Sequence, residues 1–340
     1  MQDKITLAHG SGGQACRELV EEIFLPAFSN NMLNPLTDSA VCEAGEKIAF
    51  TTDSFVIKPL FFPGGDIGRL SICGTVNDLA VSGAVPKYIS VGMILEAGFE
   101  TDVLRRIIAS MAETAKEAGV SIVTGDTKVV EGGSADGIFI NTAGVGIFSK
   151  NRPPLAQKAM PGDKILISGN MASHGMAVMA AREKMEFSPP ILSDAAPLAA
   201  LADGVLQKGF EIHAMRDPTR GGVAATLCEW VYDGIDIAIY DECLPVRSDV
   251  SAACRMLGLE PLLIANEGIM LLSVPERFAL QTLTALRSTK IGKDAAIIGE
   301  VKEVKEVKEG KKGGNVYAVT PWGTSRKIIL PRGGLLPRIC

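Results

Sequence analysis

Aromatic residues make up only 5% of the 340 positions, although 47% of the residues are hydrophobic. We therefore expect cores built mainly from aliphatic side chains. No apolar run approaches the roughly 18 residues that a membrane-spanning helix needs. The first residues also lack the apolar stretch of a signal peptide. These absences argue against a membrane protein and predict a cytoplasmic location.

The sequence also lacks paired cysteines and a basic segment. Its seven cysteines are an odd number without close pairs, which argues against a disulfide framework and a zinc site. The formal net charge is -5, and no basic cluster predicts nucleic-acid binding. The Walker A motif and the protein-kinase motifs are absent as well.

Strand-like and helix-like segments alternate along both halves of the chain, which predicts an α/β (α+β) fold with mixed sheets. The length of 340 residues exceeds the roughly 250–300 residues at which a single core stops growing. The proline-containing segment at 150–154 is the best candidate linker. We predict a first domain over residues 1–152, a second over 153–330 and a flexible tail over 331–340.

Hydrophobic periodicity predicts the longest helix over residues 101–118. Leu104, Ile107, Ile108 and Met111 recur at helical spacing, and Gly119 stands where a helix ends. Further predicted helices span 14–24, 67–82, 175–183, 196–208, 221–232, 248–257 and 276–287. Predicted strands span 48–53, 55–60, 88–95, 120–124, 137–148, 164–168, 212–215, 235–240, 267–274 and 296–300.

Aspartate and asparagine residues are concentrated beside glycines and predicted strand ends in the first half. They are Asp38, Asp53, Asp66, Asn77, Asp78 and Asp126. Asp53 and Asp126 each follow a predicted apolar strand, where ligands bind in α/β sheets. Carboxylates suit Mg²⁺, which is held together with substrate phosphates. Each residue alone is also typical of a turn, but the group favours a nucleotide–Mg²⁺ site.

Three other segments of the sequence could take part in chemistry. A glycine-rich segment at 9–13 is a weak indication of a phosphate loop, because no strand precedes it. Lys128 could stabilise a transferring phosphoryl group or be an exposed lysine. Glu267 is a candidate base if it is desolvated, and otherwise a polar strand end.

The turn at 217–222 opens a predicted helix and contains an arginine, which is typical of an anion site. The lone histidines His174 and His213 are interpreted as structural hydrogen-bonding residues.

The sequence ends at Cys340, after a segment rich in glycine and proline. Such a segment tends not to form regular structure, and about 10 extended residues could move a thiol through roughly 30 Å. A thiolate is a strong nucleophile near neutral pH. Cys340 is therefore a candidate mobile carrier of a chemical group, and the alternative is an inert tail.

Seven motifs along the chain resemble one known family. They lie at 7–13, 61–68, 77–80, 123–130, 216–222, 265–268 and 337–340. In these motifs the sequence resembles the HypE family of hydrogenase maturation carbamoyl dehydratases, part of the aminoimidazole ribonucleotide synthetase superfamily. The ending at 337–340 separates that family from its relatives. Ile269 and Ser173 depart from the family, which often has Lys or Arg and Asp there.

The resemblance implies a two-step reaction on the Cys340 sulfur. The carbamoyltransferase HypF would deliver a carbamoyl group, and ATP would dehydrate the resulting thiocarboxamide to a thiocyanate. The cyanide would pass to iron on the HypC–HypD complex and serve [NiFe] hydrogenase. The resemblance also implies that the first domain binds ATP and forms a homodimer through a shared barrel.

The resemblance and the residues together give the expected site. The expected catalytic residues are Cys340 as carrier, Lys128 as cation and Glu267 as base. The expected ATP-binding residues are His9, Gly12, Gly13, Asp53, Asp66, Asn77, Asp78, Asp126 and Thr127. The expected Mg²⁺ ligands are Asp38, Asp53, Asp78 and Asp126.

Two alternative functions stay open at this point. A sister ATP-dependent synthetase or kinase would not need Cys340, and selenophosphate synthetase would need a reactive cysteine that Cys16, inside a predicted helix, does not obviously supply. A passive thiol carrier or assembly scaffold would not couple ATP hydrolysis to Cys340. The concentration of aspartates argues against the scaffold.

Overall fold

The computed structural model describes residues 4–10, 14–34, 42–45, 47–149, 155–232, 234–304, 314–330 and 339–340. Three predicted site residues, Gly12, Gly13 and Asp38, lie outside these ranges. The predicted linker at 150–154 and residues 331–338 of the predicted tail lie outside them too.

The first half of the chain builds one four-stranded sheet and a small hairpin. Its elements are a 3₁₀ turn (Leu7–Gly10), α1 (Gln14–Leu19), a π-helical turn (Val20–Phe24), α2 (Leu25–Phe28), β1 (Ile48–Phe55), β2 (Phe61–Phe62), β3 (Gly65–Asp66), α3 (Ile67–Val81), β4 (Val85–Glu96), α4 (Thr101–Ala118), β5 (Ser121–Val130) and β6 (Ile138–Ile147). The sheet order is β1-β6-β4-β5. Only β4 and β5 are parallel, and α4 forms the crossover that a parallel pair requires.

The helix predicted over 101–118 is confirmed as α4. Leu104, Ile107, Ile108 and Met111 form its buried stripe, and each fully buried side chain of this kind stabilises the fold by about 1.5–3 kcal/mol. The helix ends at Gly119, whose φ of 71° is left-handed. Glycine reaches that conformation without a Cβ clash, so both the face and the end of α4 follow from the sequence.

The second half builds a seven-stranded, mostly antiparallel sheet. Its elements are β7 (Asp163–Ile167), α5 (Ser173–Arg182), α6 (Ala199–Leu206), β8 (Ala214–Arg216), α7 (Gly222–Trp230), β9 (Ile235–Tyr240), a 3₁₀ turn (Asp241–Cys243), α8 (Ser248–Leu257), a 3₁₀ turn (Pro261–Leu263), β10 (Leu271–Pro275), α9 (Glu276–Arg287), β11 (Ala296–Glu303), β12 (Val316–Val319) and β13 (Ser325–Lys327). The strand order is β13-β12-β9-β11-β7-β10-β8. The predicted bounds of β9, α8 and α9 are confirmed.

Two strand predictions in the first half are wrong in ways that affect the site. No strand spans 55–60, because β1 ends at Phe55 and Pro59 has no N–H for a ladder. The strand predicted over 120–124 continues to Val130. Asp53 and Asp126 therefore lie within β1 and β5 and do not follow strand ends.

The second half holds one further correction. The strand predicted from Glu267 begins only at Leu271, because the N–H groups of Glu267 and Gly268 donate to the Asp194 carboxylate. Glu267 therefore lies in an irregular loop before the strand. The short strands β12 and β13 were not predicted.

Helix α3 joins the two halves. Nearly all of its residues are buried, because it packs on the first sheet, on α4 and on α6 of the second half. Asn77 makes the polar part of this contact: its side-chain NH₂ donates to the carbonyls of Ala196 and Glu267, and its carbonyl accepts from Leu198 N–H at 2.7 Å. The junction between the sheets is thus fixed in register, which positions the loop that carries Glu267.

No helix within the described ranges is both long and apolar enough to span a bilayer.

Candidate functional site at the junction of the two sheets

Four carboxyl groups from four separate segments gather at the junction. Asp53 lies on β1, Asp78 near the end of α3, Asp217 just after β8, and Glu267 in the loop before β10. Burial, and then the negative charges of the neighbouring carboxylates, raise the pKa values of Asp53, Asp217 and Glu267. Like charges this close disfavour simultaneous ionisation, so the cluster is a site for protons or for a cation.

Glu267 is the most deeply buried member of this cluster. Its side chain is 2% exposed, and among the described residues its Oε1 finds no hydrogen-bond partner. Burial, and then the charges of Asp217 and Asp194, raise its pKa well above the ordinary range. A carboxyl group in this state holds its proton to higher pH than an exposed glutamate does. It can exchange that proton with a bound group, which is the property of a general acid or base.

Asp53 and Asp217 also take up protons near neutral pH. Burial, and then the charge of Asp78, raise the pKa of Asp53 to about 6, although the Thr75 hydroxyl and Arg220 oppose the change. Burial, and again Asp78, raise the pKa of Asp217 to about 7. Because these groups titrate together, the values describe the cluster more than its single members.

The cluster meets part of what a divalent cation needs. Asp53 and Asp78 could supply hard oxygen ligands, and bound positive charge would relieve their repulsion. Within the chain as described, no three Asp, Glu, His or Cys side chains form a ready-made metal cage. A Mg²⁺ ion here would therefore depend on phosphate oxygens for further ligands, which is its usual mode with nucleotides.

Cys340 docks beside the carboxyl cluster. The Val56 N–H donates to an oxygen of Cys340 at 3.4 Å, and the carbonyl of Ile339 lies 2.6 Å from Nε2 of His174. Burial, and then the charge of Glu267, raise the pKa of the Cys340 thiol to about 12, with Arg220 opposing. The docked sulfur is therefore an uncharged thiol within electrostatic range of Glu267.

Two tight backbone contacts fix the loops of the cluster. A Cβ on Gly268 would lie 1.7 Å from the carbonyl oxygen of Asp194, so only glycine lets the Glu267 loop approach there. Gly222 has a φ of +63°, and a Cβ on it would lie 2.6 Å from the carbonyl oxygens of Leu262 and Ile264. This turn carries Arg220 to the cluster.

Within a single chain, Asp126 and Lys128 lie away from the carboxyl cluster. Their side chains form an exposed ion pair at 3.4 Å. In register, Asp53 pairs with Thr142, Thr142 with Val91, and Val91 with Gly125, so β5 lies three strands, or about 14 Å, from Asp53. Because side chains alternate along a strand, Asp126 and Lys128 point to the opposite face of the sheet.

A cavity lies near Asp126. A cleft of about 470 Å³ opens between the helical segment at 14–28 and strands β4 and β5, and its lining includes Arg17, Phe24, Met93, Asp126 and Thr127. Its volume falls in the range of small-molecule sites. The nucleotide-binding roles of Asp126 and Thr127 stay predictions, and their place on this wall is compatible with them.

Three other predicted ATP-binding residues are engaged inside the protein. His9 is buried, and its Nδ1 accepts from the Thr6 N–H. Asp66 caps α3 through the N–H groups of Gly68 and Arg69 and also accepts from the Ser110 hydroxyl. The Asn77 amide joins the two sheets. No observation tests their nucleotide-binding roles, which stay predictions.

Two residues of the site were not predicted as site residues. His174 was interpreted as a structural hydrogen-bonding residue, and its partner is the docked Ile339. Asp194 carried no signal in the sequence, although its carboxylate accepts N–H bonds from His174, Glu267 and Gly268 at 2.8–2.9 Å. The anion site expected at 217–222 does place Arg220 near the cluster.

Comparison with known proteins gives consistent similarities. The family described as AIR synthase related protein matches with its N-terminal domain at residues 36–148 and its C-terminal domain at 160–312. The carbamoyl dehydratase HypE of Rhizobium leguminosarum bv. viciae is 45% identical, over 99% of this chain and 95% of its own length. That of Escherichia coli K12 is 44% identical, over 99% and 100%.

Solved structures show the same similarity. The structure of the hydrogenase maturation protein HypE in complex with ATP has a TM-score of 0.92 at 42% identity, and the match covers 98% of this chain and 99% of that one. HypE in a HypE–HypF complex has a TM-score of 0.78 at 46% identity, with coverage of 92% and 99%. The thiamine monophosphate kinase of Aquifex aeolicus, at 20% identity and a TM-score of 0.58, covers 83% of this chain and 96% of its own and shares the fold alone.

Proposed function

Because the chain belongs to the HypE carbamoyl dehydratases, within the AIR synthase related family, we propose that it dehydrates a carbamoyl group carried on Cys340. The product is a thiocyanate, the source of the cyanide ligand of [NiFe] hydrogenase. The observation that carries this proposal is the docked Cys340 sulfur beside Glu267, whose raised pKa suits proton exchange. The HypE structures with ATP and with HypF support ATP as co-substrate and HypF as donor.

The atoms balance in a simple sequence. The amide oxygen of the thiocarboxamide attacks the γ-phosphorus of ATP, and ADP leaves. The oxygen then departs as part of inorganic phosphate while the nitrogen loses both protons, which leaves the S–C≡N group on the sulfur. The net change is loss of one water, whose oxygen ends in phosphate. The protein must therefore hold a base near the amide nitrogen and stabilise negative charge on the phosphoryl group.

Glu267 is the proposed base, and the carboxyl cluster would prepare it. Its carboxyl group is itself shielded from water, since Glu267 is buried. Mg²⁺ held by Asp53 and Asp78 would neutralise phosphate charge and would also lower the pKa of Glu267 by attraction. Arg220 lies close enough to influence both Asp53 and Cys340 and is a further cation for the phosphoryl group.

We also propose a homodimer that completes the site. The sheet face opposite α3 exposes Phe50 at 69%, Ile48 at 51% and Ile94 at 43%, and such an apolar face favours association. Lys128 lies on this face, three strands from Asp53. A second copy seated there would bring its own Asp126 and Lys128 beside β1, the strand that carries Asp53 on its other face. We propose further that the HypC–HypD complex accepts the cyanide and that the protein acts in the cytoplasm.

Intact-protein mass spectrometry tests the reaction. The wild-type protein is incubated with the carbamoyltransferase HypF and its substrates, then with ATP and Mg²⁺. We expect a carbamoyl mass gain, followed by loss of one water only when ATP is present, and neither change in the Cys340→Ser variant. ATP turnover without a mass gain on Cys340 would favour a sister synthetase. A gain that never loses water would favour a passive carrier.

A further inference from the structure

His174 is a buried side chain whose hydrogen bonds define its protonation. Its Nε2 lies 2.6 Å from the carbonyl oxygen of Ile339. A carbonyl oxygen can only accept, so Nε2 carries a hydrogen. On the other side, Nδ1 lies 2.9 Å from the Ser193 hydroxyl, whose oxygen already accepts the Ala195 N–H. The hydroxyl hydrogen can therefore be donated to Nδ1, which is the arrangement of a neutral Nε2–H imidazole.

The environment of the ring agrees with this tautomer. Burial lowers the pKa of His174, which favours the neutral form. The Phe62 ring packs edge-on at 5.5 Å between centroids. Ring orientation is thus fixed from two sides, and Nε2–H points only at the Ile339 carbonyl.

The same carboxylate positions His174 and Glu267. One oxygen of Asp194 accepts the backbone N–H of His174 at 2.8 Å, and the other accepts the backbone N–H groups of Glu267 and Gly268. The donor to the tail and the proposed base are therefore held on one rigid support. Any tail bound to His174 is automatically placed relative to Glu267.

We propose that His174 is a positioning residue that recognises the docked tail through the Ile339 carbonyl and thereby sets the Cys340 sulfur against Glu267. The Ile339 side chain adds an apolar anchor, since it is buried in a hydrophobic core to which both halves of the chain contribute. The Val56 N–H also donates to an oxygen of Cys340. A backbone carbonyl is present whether the sulfur is free or loaded, so His174 acts on the tail in either state.

This proposal deepens the proposed function, and a pair of substitutions separates the two nitrogens of the ring. In His174→Gln the side-chain amide reaches the place of Nε2 and can still donate to Ile339. In His174→Asn the shorter amide reaches the place of Nδ1, so it keeps the Ser193 contact and loses the tail. His213→Asn is the matched control, because His213 bonds to Asp163 and Glu211 and does not contact the tail.

The first readout is alkylation of the free protein by iodoacetamide, followed cysteine by cysteine with peptide mass spectrometry. Loss of one buried hydrogen bond shifts the docked population by about five- to tenfold. We therefore expect Cys340 to react about five- to tenfold faster in His174→Asn than in wild type, and near the wild-type rate in His174→Gln and His213→Asn. Cys243 and the buried Cys254 report on the fold and should keep their rates.

The second readout is single-turnover dehydration of the loaded protein, with Cys340 loading by HypF as the comparison. We expect His174→Asn to slow dehydration while loading proceeds normally. The proposal would be overturned if Cys340 is alkylated at the same rate in His174→Asn and in wild type while the Cys254 rate is unchanged. It would also be overturned if Cys340 alkylation is accelerated equally in His174→Asn and His174→Gln. Faster alkylation of Cys254 in His174→Asn would mean that this variant is misfolded, and the test then rests on His174→Gln. Faster alkylation of Cys340 in a folded His174→Gln would overturn the proposal. Failure of wild-type dehydration beside the expected alkylation pattern would refute the proposed function only.

Discussion

Replacing Glu267 by Gln should remove activity and at the same time stabilise the fold. Gln preserves the size of the side chain and removes only the titrating proton. Loss of a general base typically lowers the rate by about 10²–10⁴. We expect single-turnover dehydration to fall by that factor, while loading of Cys340 is unchanged because it takes place with a partner enzyme.

The stability effect follows from the raised pKa of Glu267. The unfolded chain loses this proton near its ordinary pKa of about 4.3, whereas the native protein keeps it to higher pH. Below the unfolded pKa of about 4.3, the stabilising contribution of this proton is complete. As pH rises from there toward the native pKa, the free energy of unfolding falls by about 1.4 kcal/mol per pH unit for one proton. Glu267→Gln lacks this loss, so its free energy of unfolding should exceed that of wild type increasingly above pH 5.

Urea unfolding from pH 4 to pH 8 measures this divergence, with Glu113→Gln as the control because Glu113 is exposed on α4. The two variants should match wild type at pH 4, and only Glu267→Gln should gain stability as pH rises. Parallel curves for Glu267→Gln and wild type across this range would mean that Glu267 is ionised in the native protein. That result would refute our account of the cluster.

Three further predictions test other parts of the structure. Lys128→Ala and Cys340→Ala homodimers should each be inactive. Mixing and re-pairing them should restore about a quarter of wild-type dehydration, since half of the dimers are mixed and each has one complete site. No recovery would mean that Lys128 acts on the sulfur of its own chain, and an active Lys128→Ala homodimer would place Lys128 outside catalysis. Leu104→Ala should lower the free energy of unfolding by about 2–5 kcal/mol, measured by urea denaturation; a loss below 1 kcal/mol would contradict its burial. Gly268→Ala should slow dehydration strongly because its Cβ cannot fit against Asp194; wild-type turnover in that variant would contradict the close approach.

The sequence predicted the amphipathic elements well, because their information is local. The apolar spacing that defines α4 and the glycine that ends it lie within one segment, and β9, α8 and α9 follow equally local patterns. The Glu267 loop was misassigned as a strand because its N–H groups bond to Asp194, which is 73 residues away in sequence. No periodicity encodes such a bond.

The candidate site was predictable in its residue types and not in its grouping. Asp53, Asp78 and Glu267 were chosen for their chemistry, and the packing of α3 between the sheets does bring them together. Asp126 was grouped with them because Asp53 and Asp126 were both expected at strand ends. Only the strand order β1-β6-β4-β5 shows that Asp53 and Asp126 lie far apart within a single chain. Strand order depends on long-range pairing, so a motif that is read along the sequence cannot supply it.

The charge state of the site explains why a sulfur carrier suits it. A thiolate is disfavoured at the docked position, because burial, and then the charge of Glu267, raise the pKa of the Cys340 thiol. A free thiol and a thiocarboxamide are both uncharged, so either can dock without an ionic penalty. Nucleophilic attack on the carbamoyl donor needs the thiolate, which the docked position disfavours. Loading and dehydration therefore require different surroundings for the same sulfur. Within the described residues, Ile339 and Cys340 are held by the hydrogen bond from His174, the buried Ile339 side chain, the packing of Cys340 against the core and the Val56 N–H, and breaking these few contacts would release the sulfur for loading.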